Sequence, residues 1–551
     1  MRERQREGQG ERDRNSRIDA LAITQGLLTK NPKLIGTVVY LLFCGAFYWV
    51  LTGTQGGSES YELVQNLRGS MGGWLDVSDP ASFFNFMEAE FADVVFPVSY
   101  YNGEGYEDEN LGNVASSYML LGAVGMRQVR AKNNTCDLSA DDLIFPLVKN
   151  CFGEYSSNNE DRQPYGPMVL PGSDRTFKYS TALDLGCRVG CSVAGWLNTY
   201  QGGGFFELLP SGRKNTTNAD VVAKIQQLKG DRWMDRQTRA IFVDFTVFSL
   251  SSKLLAGVQL WYEAKASGKV QTWVQIYPMK LNHLYMSQGS IADMLSEFVM
   301  IFLTCVYTTI AARDWFKQGC CEYWNNGWNV FDVINYSAMF AAFAMRYSAL
   351  LNAADIAFPP PDTDFVYLSS AGNSIKSFKY LLGFNSIFTF FKILKYLSHI
   401  PMFARLVKVL GACVEDVAAF LINCGIAMIA FAGAFHLTYG NHMFEFATIS
   451  ESILTLYRYS MGDWDVAQLQ SFQPDIGILY FMAWSLLAIC LLLNMFVGII
   501  MESYDKVNEE EEKISLRDFV RSKLAGDQLV DVVVSNHKDE VRLCPITLAL
   551  R

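Results

Sequence analysis

The apolar residues of this chain are segregated, and that segregation limits the fold more than any other feature. Residues 34–52, LIGTVVYLLFCGAFYWVLT, run 19 positions without a charge. A helix needs ~20 such residues to cross the ~30 Å hydrocarbon core of a bilayer. Residues 53–289 hold no comparable run. From residue 291 the apolar signal returns as stretches at 291–312, 328–350, 379–397, 414–440 and 476–501. With the first, these make six predicted spans. The basic leader exceeds thirty residues and no small-residue cleavage site follows the first run, so that run reads as a retained span and not a secretory signal.

Composition narrows the class further. Half of the 551 residues are hydrophobic and 19% are charged, against about 25% in ordinary soluble domains. The net charge of −10 leaves no overall nucleic-acid footprint, and 5 histidines leave little material for His-rich metal sites. Twelve cysteines are too dilute for a disulfide mini-scaffold. No P-loop, G-x-S-x-G or H-E-x-x-H motif is present. The sequence reads as a membrane protein and not as an enzyme.

Between the first two spans, residues 53–289 read as a folded polar domain. AIFVDFTVFSL (240–250) and VQTWVQIYPMKL (270–281) mix β-branched and aromatic residues with polar ones, as strands do. Gly202–Gly204 and Pro210-Ser211-Gly212 supply turns. Between the last two spans lies a stretch, 441–475, too short for a domain and too apolar for a solvated loop. Its centre, ESILTLYRYSMGDWD (451–465), predicts a short amphipathic helix running into a glycine turn. Non-helical backbone at membrane depth survives only where protein buries it or water lines it, so the stretch reads as re-entrant.

Charge sets the orientation. The leader 1–33 carries eight Lys and Arg against five acids, and Arg313 and Lys317 follow span two. By the positive-inside rule these place the N-terminus in the cytoplasm and the polar domain outside it or in a lumen. Two glycosylation sequons there, beginning at Asn133 and Asn215, agree; a third, at Asn335, falls inside a predicted span and reads as chance. The boundaries are therefore a cytoplasmic segment 1–33, span one 34–52, the polar domain 53–289, spans two to four 290–400, a linker 401–413, a pore-type unit 414–504 and a cytoplasmic tail 505–551.

This arrangement resembles the polycystin branch of the TRP channels, in its polycystin-2-like form. The resemblance rests on GNVASSYMLLGAVGMRQVRAKNNTC (112–136), EDRQPYGP (160–167), DRWMDRQTRAIFVDFTVF (231–248), EYWNNGWNVFDV (322–333), FFKILKYL (390–397) and LLLNMFVGII (491–500). It implies six helices with a re-entrant pore loop, spans one to four forming a voltage-sensor-like unit, and an α+β extracellular polycystin domain between spans one and two. It also implies a homotetramer in contact with membrane lipids, with a polycystin-1-like subunit or an extracellular structure as a further partner. The implied location is a ciliary or flagellar membrane, with plasma membrane or endomembrane as the alternative. No cofactor is implied, only permeating Ca²⁺, Na⁺ and K⁺.

The same resemblance assigns roles. Met461-Gly462-Asp463 matches the family's Leu-Gly-Asp filter, so four Asp463 carboxylates would ring the axis and attract cations. Gly462 would let the backbone bend. Trp464 departs from the family's aliphatic residue and would anchor or narrow the outer mouth. Asp465 is open to two readings, a second acidic ring or the cap of a following helix. Carry-over puts the lower gate at Val497 and Met501, four apart on one helix face. Lys392 and Lys395 are the voltage-sensor-like charges, with Glu297 and Asp332 as countercharges; they either move in the field or pair statically. The family bond falls at Cys136 and Cys151, whose closed loop would contribute about 3 kcal/mol. Cys187 and Cys191 are a second candidate pair, and His436 reads as a satisfied core histidine. The leading expectation is a nonselective cation channel subunit. A receptor-like or anchoring subunit that conducts weakly, or only as a heteromer, stands as the alternative.

Overall fold

The computed structural model describes residues 32–54, 57–100, 102–105, 113–136, 150–166, 176–210, 217–281, 291–354, 356, 359–398, 401–463, 465–472, 474–488 and 494–524. The chain divides into two compact units, Val38–Phe390 and a second formed by Met1–Thr37 with Phe391–Arg551.

The first unit is built around an antiparallel sheet. Its long strands are Tyr118–Ala131, Gly204–Leu208, Thr238–Ser249, Leu254–Ala264 and Val270–Lys280. In space Val270–Lys280 pairs with Leu254–Ala264, which pairs with Thr238–Ser249, then Tyr118–Ala131, then Gly204–Leu208. Side chains of a strand alternate between faces, and here both faces are covered. Ile241, Val243, Phe245 and Val247 enter one cluster with Leu63, Phe83, Phe91 and Ile225 of the flanking helices. Ala240 and Phe242 enter the other, with Tyr155, Tyr200 and Trp261. Phe242, Trp261 and Trp273 lie in register across three strands, their centroids 4.6 and 4.7 Å apart. Cross-strand aromatic pairs of this kind fix register, because a one-residue slip would turn each ring to the wrong face.

Three arginines are buried in the sheet, Arg127, Arg130 and Arg239. Arg130 bonds Asp235 at 2.8 Å and lies 3.5 Å from the centroid of Tyr165. Arg127 lies over Phe242 at 4.0 Å and donates to the carbonyls of Gln201 and Gly203. Both disulfides form, Cys136–Cys151 and Cys187–Cys191, with Cα separations of 5.7 and 5.8 Å. Arg239 braces the first by donating to the carbonyls of Phe152 and Gly153.

The helix Pro32–Thr54 from Val38 onward, Ile291–Gln318, Gly327–Ala353 and Ser369–Phe391 up to Phe390 also belong to this unit. Tyr40 donates to the carbonyl of Thr389, and Phe43 meets Tyr307 edge to face. The sheet is joined directly to the helices. Asp244 Oδ1 accepts from Gln259 Nε2 at 2.7 Å and from Ser369 Oγ at 2.6 Å. Asn352 Oδ1 accepts from the Arg188 and Val189 amides, while its Nδ2 donates to the Val189 carbonyl. A Cβ on Gly372 would stand 2.6 Å from Tyr277 Cβ, so glycine is what allows that close approach.

The second unit holds Pro401–Tyr439, Ile449–Ser460, Val466–Phe472, Pro474–Ser485 and Asn494–Leu524. Pro401 opens a single helix of 39 residues, a position where its missing N–H costs nothing. The predicted linker 401–413 is thus the first three turns of this helix.

Three helical stretches are long and apolar enough to cross a membrane: one within Gly36–Ser70, of which 55 and 56 lie outside the described residues, and Ile291–Gln318 and Phe403–Tyr439. The other predicted spans are helical but differ in detail. Gly327–Ala353 buries Asp332, Asn335, Arg346, Ser348 and Asn352, which lowers its hydropathy. Ser369–Phe391 starts ten residues before the predicted 379 and breaks at Lys392, and a short helix, Ile393–Leu397, follows. The predicted last span comprises Pro474–Ser485 and the start of Asn494–Leu524, with 489–493 outside the described residues.

Candidate ion pathway

The Ile449–Ser460 helix begins at Thr448, whose hydroxyl accepts from the Glu451 amide at 3.2 Å. Ser452, Thr455, Leu456 and Tyr459 are buried, and their spacing of three and four defines one helix face. That face meets Phe435, Tyr439, Phe446 and Trp484. Polar bonds pin it as well. Trp484 Nε1 donates to the Leu456 carbonyl at 3.2 Å, and Thr455 donates to the Glu445 carbonyl at 3.1 Å. His436 Nδ1 bonds the Phe446 carbonyl at 2.7 Å, a packed and satisfied histidine.

The helix ends in a Schellman turn. The Gly462 amide donates to the Tyr459 carbonyl and the Asp463 amide to the Arg458 carbonyl, both at 3.1 Å. This motif needs a left-handed residue directly after the helix, and Gly462 has φ +90°. A Cβ at Gly462 would meet no atom within 4 Å, so the requirement is conformational and not one of space. The turn brings Asp463 back beside Arg458. Nη2 and Nε of Arg458 both reach Asp463 Oδ2, at 2.7 and 2.8 Å. Asp465 Oδ1 accepts from the Gln468 amide at 3.1 Å and so caps Val466–Phe472. Met461 is 69% exposed in the single chain; Trp464 lies outside the described residues.

Val497 and Met501 stand one helical turn apart on Asn494–Leu524 and are exposed in the single chain. On the neighbouring face Phe496 meets Phe420 of the 39-residue helix, centroids 6.1 Å apart.

Lys392 is buried at the break between helices, and its carbonyl accepts the Lys395 amide at 3.0 Å. Asp332 is buried in Gly327–Ala353. Glu297 has a partner that the sequence does not announce: Arg346 Nε lies 3.5 Å from its Oε1. A lone arginine near the end of an apolar run reads as a flank. The burial of Arg346 is the signal, and burial is not visible in the run itself.

In the first unit, Asn133 is exposed and donates to Asn150 Oδ1 at 2.8 Å. Asn215 lies outside the described residues. Asn335 is buried and donates to Thr389 Oγ1 at 3.1 Å, consistent with a chance sequon.

Two family models match consecutive stretches of the chain. The polycystin domain model covers residues 73–282, and the polycystin cation channel model covers 284–507. The chain is 27% identical over 434 residues to human polycystin-2-like protein 2, covering 78% of this chain and 66% of that protein. It is 25% identical over 453 residues to polycystin-2 of Danio rerio, covering 81% and 48% respectively. It is 26% identical over 423 residues to mouse polycystin-1-like protein 3, covering 74% of this chain and 18% of that one. The chain spans about half to two thirds of the length of the polycystin-2 and polycystin-2-like relatives just named. This chain belongs to the polycystin family.

Proposed function

We propose that this chain is a subunit of a nonselective cation channel, conducting Na⁺ and K⁺ together with Ca²⁺. One observation carries the reading: the helix–glycine turn–helix at 449–472 presents Asp463 within the stretch matched by the cation channel model. Among the described residues no cluster of three or more His, Cys, Asp or Glu is placed to hold a metal ion. Four chains around one axis would supply four carboxylates, and rings of carboxylates attract cations and replace part of their hydration.

In this reading ions pass Met461, Gly462 and Asp463 and leave between the Val497 and Met501 side chains, an apolar constriction that closes by dewetting. Lys392 and Lys395 act as voltage-sensor-like charges, with Glu297 and Asp332 as countercharges. Asn133 and Asn215 carry glycans on an extracellular or lumenal polycystin domain. The assembly sits in a ciliary or flagellar membrane.

Single-channel recording of purified protein in a planar bilayer, wild type beside Asp463→Asn, tests the reading. Unitary cation currents that lose conductance or divalent permeation in the variant are expected. Currents indifferent to the substitution would remove Asp463 from the filter. The likeness to mouse polycystin-1-like protein 3 supports the second reading, a receptor-like or anchoring subunit that conducts within a heteromer. A silent homomer that conducts on co-expression with a polycystin-1-like subunit would favour it.

A further inference from the structure

Arg458 is the one cation that the turn geometry brings onto the proposed filter carboxylate among the described residues, and the filter reading alone gives it no task. Both residues are fixed by backbone before their side chains meet. The Asp463 amide is tied to the Arg458 carbonyl at 3.1 Å, and Gly462 holds φ +90° between them. The side chains then close a second link, two guanidinium nitrogens on one carboxylate oxygen, Oδ2, at 2.7 and 2.8 Å. The guanidinium cannot lose its charge at any physiological pH. Its partner oxygen is occupied, whereas Asp463 Oδ1 has no part in this fork.

From this geometry we infer that Arg458 is a specificity-determining residue of the pore: a fixed countercharge that offsets the acidic field of the filter and so sets the balance between monovalent and divalent cations. The inference rests on the reading of Asp463 as the filter. Without Arg458, each subunit would present one more uncompensated negative charge to the ion path. A divalent ion feels such a charge twice as strongly as a monovalent one. At ~10 Å in a water-filled mouth, one unit charge changes the local concentration of a monovalent cation about twofold and of a divalent cation about fourfold. The ratio between them therefore moves about twofold per arginine, and a wild-type arginine keeps the pore from becoming strongly Ca²⁺-preferring. Exposure is part of the argument. The Arg458 and Asp463 side chains are 53% and 67% accessible in the single chain, so the pair lies on the surface of the subunit and not in its core.

The test is bi-ionic reversal-potential measurement, Ca²⁺ against Na⁺, on full-length wild type, Arg458→Gln, Arg458→Lys, Asp463→Asn and the double variant Arg458→Gln/Asp463→Asn. Arg458→Gln removes four arginines from the tetramer at once and is expected to raise the Ca²⁺-to-Na⁺ permeability ratio on the order of tenfold, with Arg458→Lys near wild type. In the Asp463→Asn background the arginine is left as an unpaired positive charge, so the further Arg458→Gln change should raise the ratio by a similar factor and return it toward the wild-type value. If Asp463→Asn alters permeation while Arg458→Gln leaves the ratio at the wild-type value, the countercharge role is overturned and the filter stands. If Asp463→Asn changes nothing, the filter reading itself fails, and the inference with it. A silent Arg458→Gln is read through Arg458→Lys. Currents of wild-type selectivity with lysine keep the charge role, and silence with lysine as well overturns it, since the fork would then serve only to hold the turn.

Discussion

Ser369 donates its hydroxyl to Asp244 Oδ1 across 2.6 Å, tying the first turn of the Ser369–Phe391 helix to the middle of the Thr238–Ser249 strand. The contact is fully buried at the carboxylate end, and through it a charged group of the sheet is held by a helix of the same unit.

Burial pushes the Asp244 carboxyl from 3.8 up to about 6, against the opposing pull of Arg127 and the hydrogen bonds from Ser369 and Gln259. Tyr277 and Tyr367 are the other titratable groups facing it. The sign follows from proton uptake. Between pH 3.8 and about 6 the folded protein keeps a proton that the unfolded chain has released, so stability falls as pH rises through this window and levels off above it. The gap corresponds to about 3 kcal/mol. Thermal unfolding of wild type followed from pH 4 to pH 7 should show that loss, and Asp244→Asn should show a flatter profile. Parallel profiles for the two proteins would remove Asp244 as the source.

What is legible in the sequence and what is not divide along physical lines. The apolar runs at 34–52 and 291–312 announce helices because lipid-type burial needs only hydrophobicity, and helices begin near both. The alternation in 240–250 and 270–281 announces strands for the same local reason. The helical start at 369–375 escapes such a reading because its serines and Gly372 are buried against protein: Ser369 on Asp244, Ser374 on Ser348, Gly372 on Tyr277. Hydropathy has no means of registering such burial. At the candidate filter the glycine turn is legible, but the Arg458–Asp463 pair is not. It depends on the Schellman hydrogen bonds that fold position 463 back over position 458, a spacing of five that no regular helix face brings together.

Gly462 should resist substitution according to conformation and not size. Its φ of +90° is one that L residues rarely adopt, and no atom crowds its Cβ position. A β-carbon in left-handed backbone costs about 1–2 kcal/mol, and asparagine tolerates the region better than alanine or valine. The unitary conductance of Gly462→Asn should therefore lie nearer wild type than that of Gly462→Val. Equal conductances in the two variants would mean that the turn relaxes without disturbing the pathway.

The Glu297–Arg346 pair links Ile291–Gln318 to Gly327–Ala353, with the arginine side chain only 9% exposed. Removing one partner of a fully buried pair typically costs about 3–5 kcal/mol; here the carboxylate left behind is 28% exposed, so water screens it and the cost should fall below that range. Arg346→Gln should lower the thermal midpoint in nanodiscs, and adding Glu297→Gln should recover part of the loss. A double variant no better than the single one would show that the pair is not energetically coupled.

The Cys136–Cys151 bond closes a loop of 15 residues beside the buried Arg239 guanidinium. A cross-link of that length contributes about 3 kcal/mol in the chain-entropy model. Cys136→Ser should lower the thermal midpoint of oxidised protein, while under reducing agent wild type and variant should converge. A persistent gap under reduction would point to packing of the sulfur and not to the cross-link.

Val497 and Met501 share a face of Asn494–Leu524 and, at a rise of ~1.5 Å per residue, lie about 6 Å apart along the axis. If four such faces surround the pathway, they form two apolar rings in succession, and a narrow apolar segment empties of water at low energetic cost. Polarity and width can then be separated. Met501→Asn wets the lower ring and should raise open probability at fixed voltage. Met501→Leu keeps the ring apolar at similar volume and should leave it near wild type. Val497→Ala widens the upper ring but leaves it apolar, so its effect should be smaller than that of Met501→Asn. The readout is open probability from single-channel records, with unitary conductance as a check that the filter is unchanged. An open probability that follows side-chain volume and ignores polarity would argue for a steric gate at these positions. Insensitivity to all three substitutions would move the constriction away from this face of the helix.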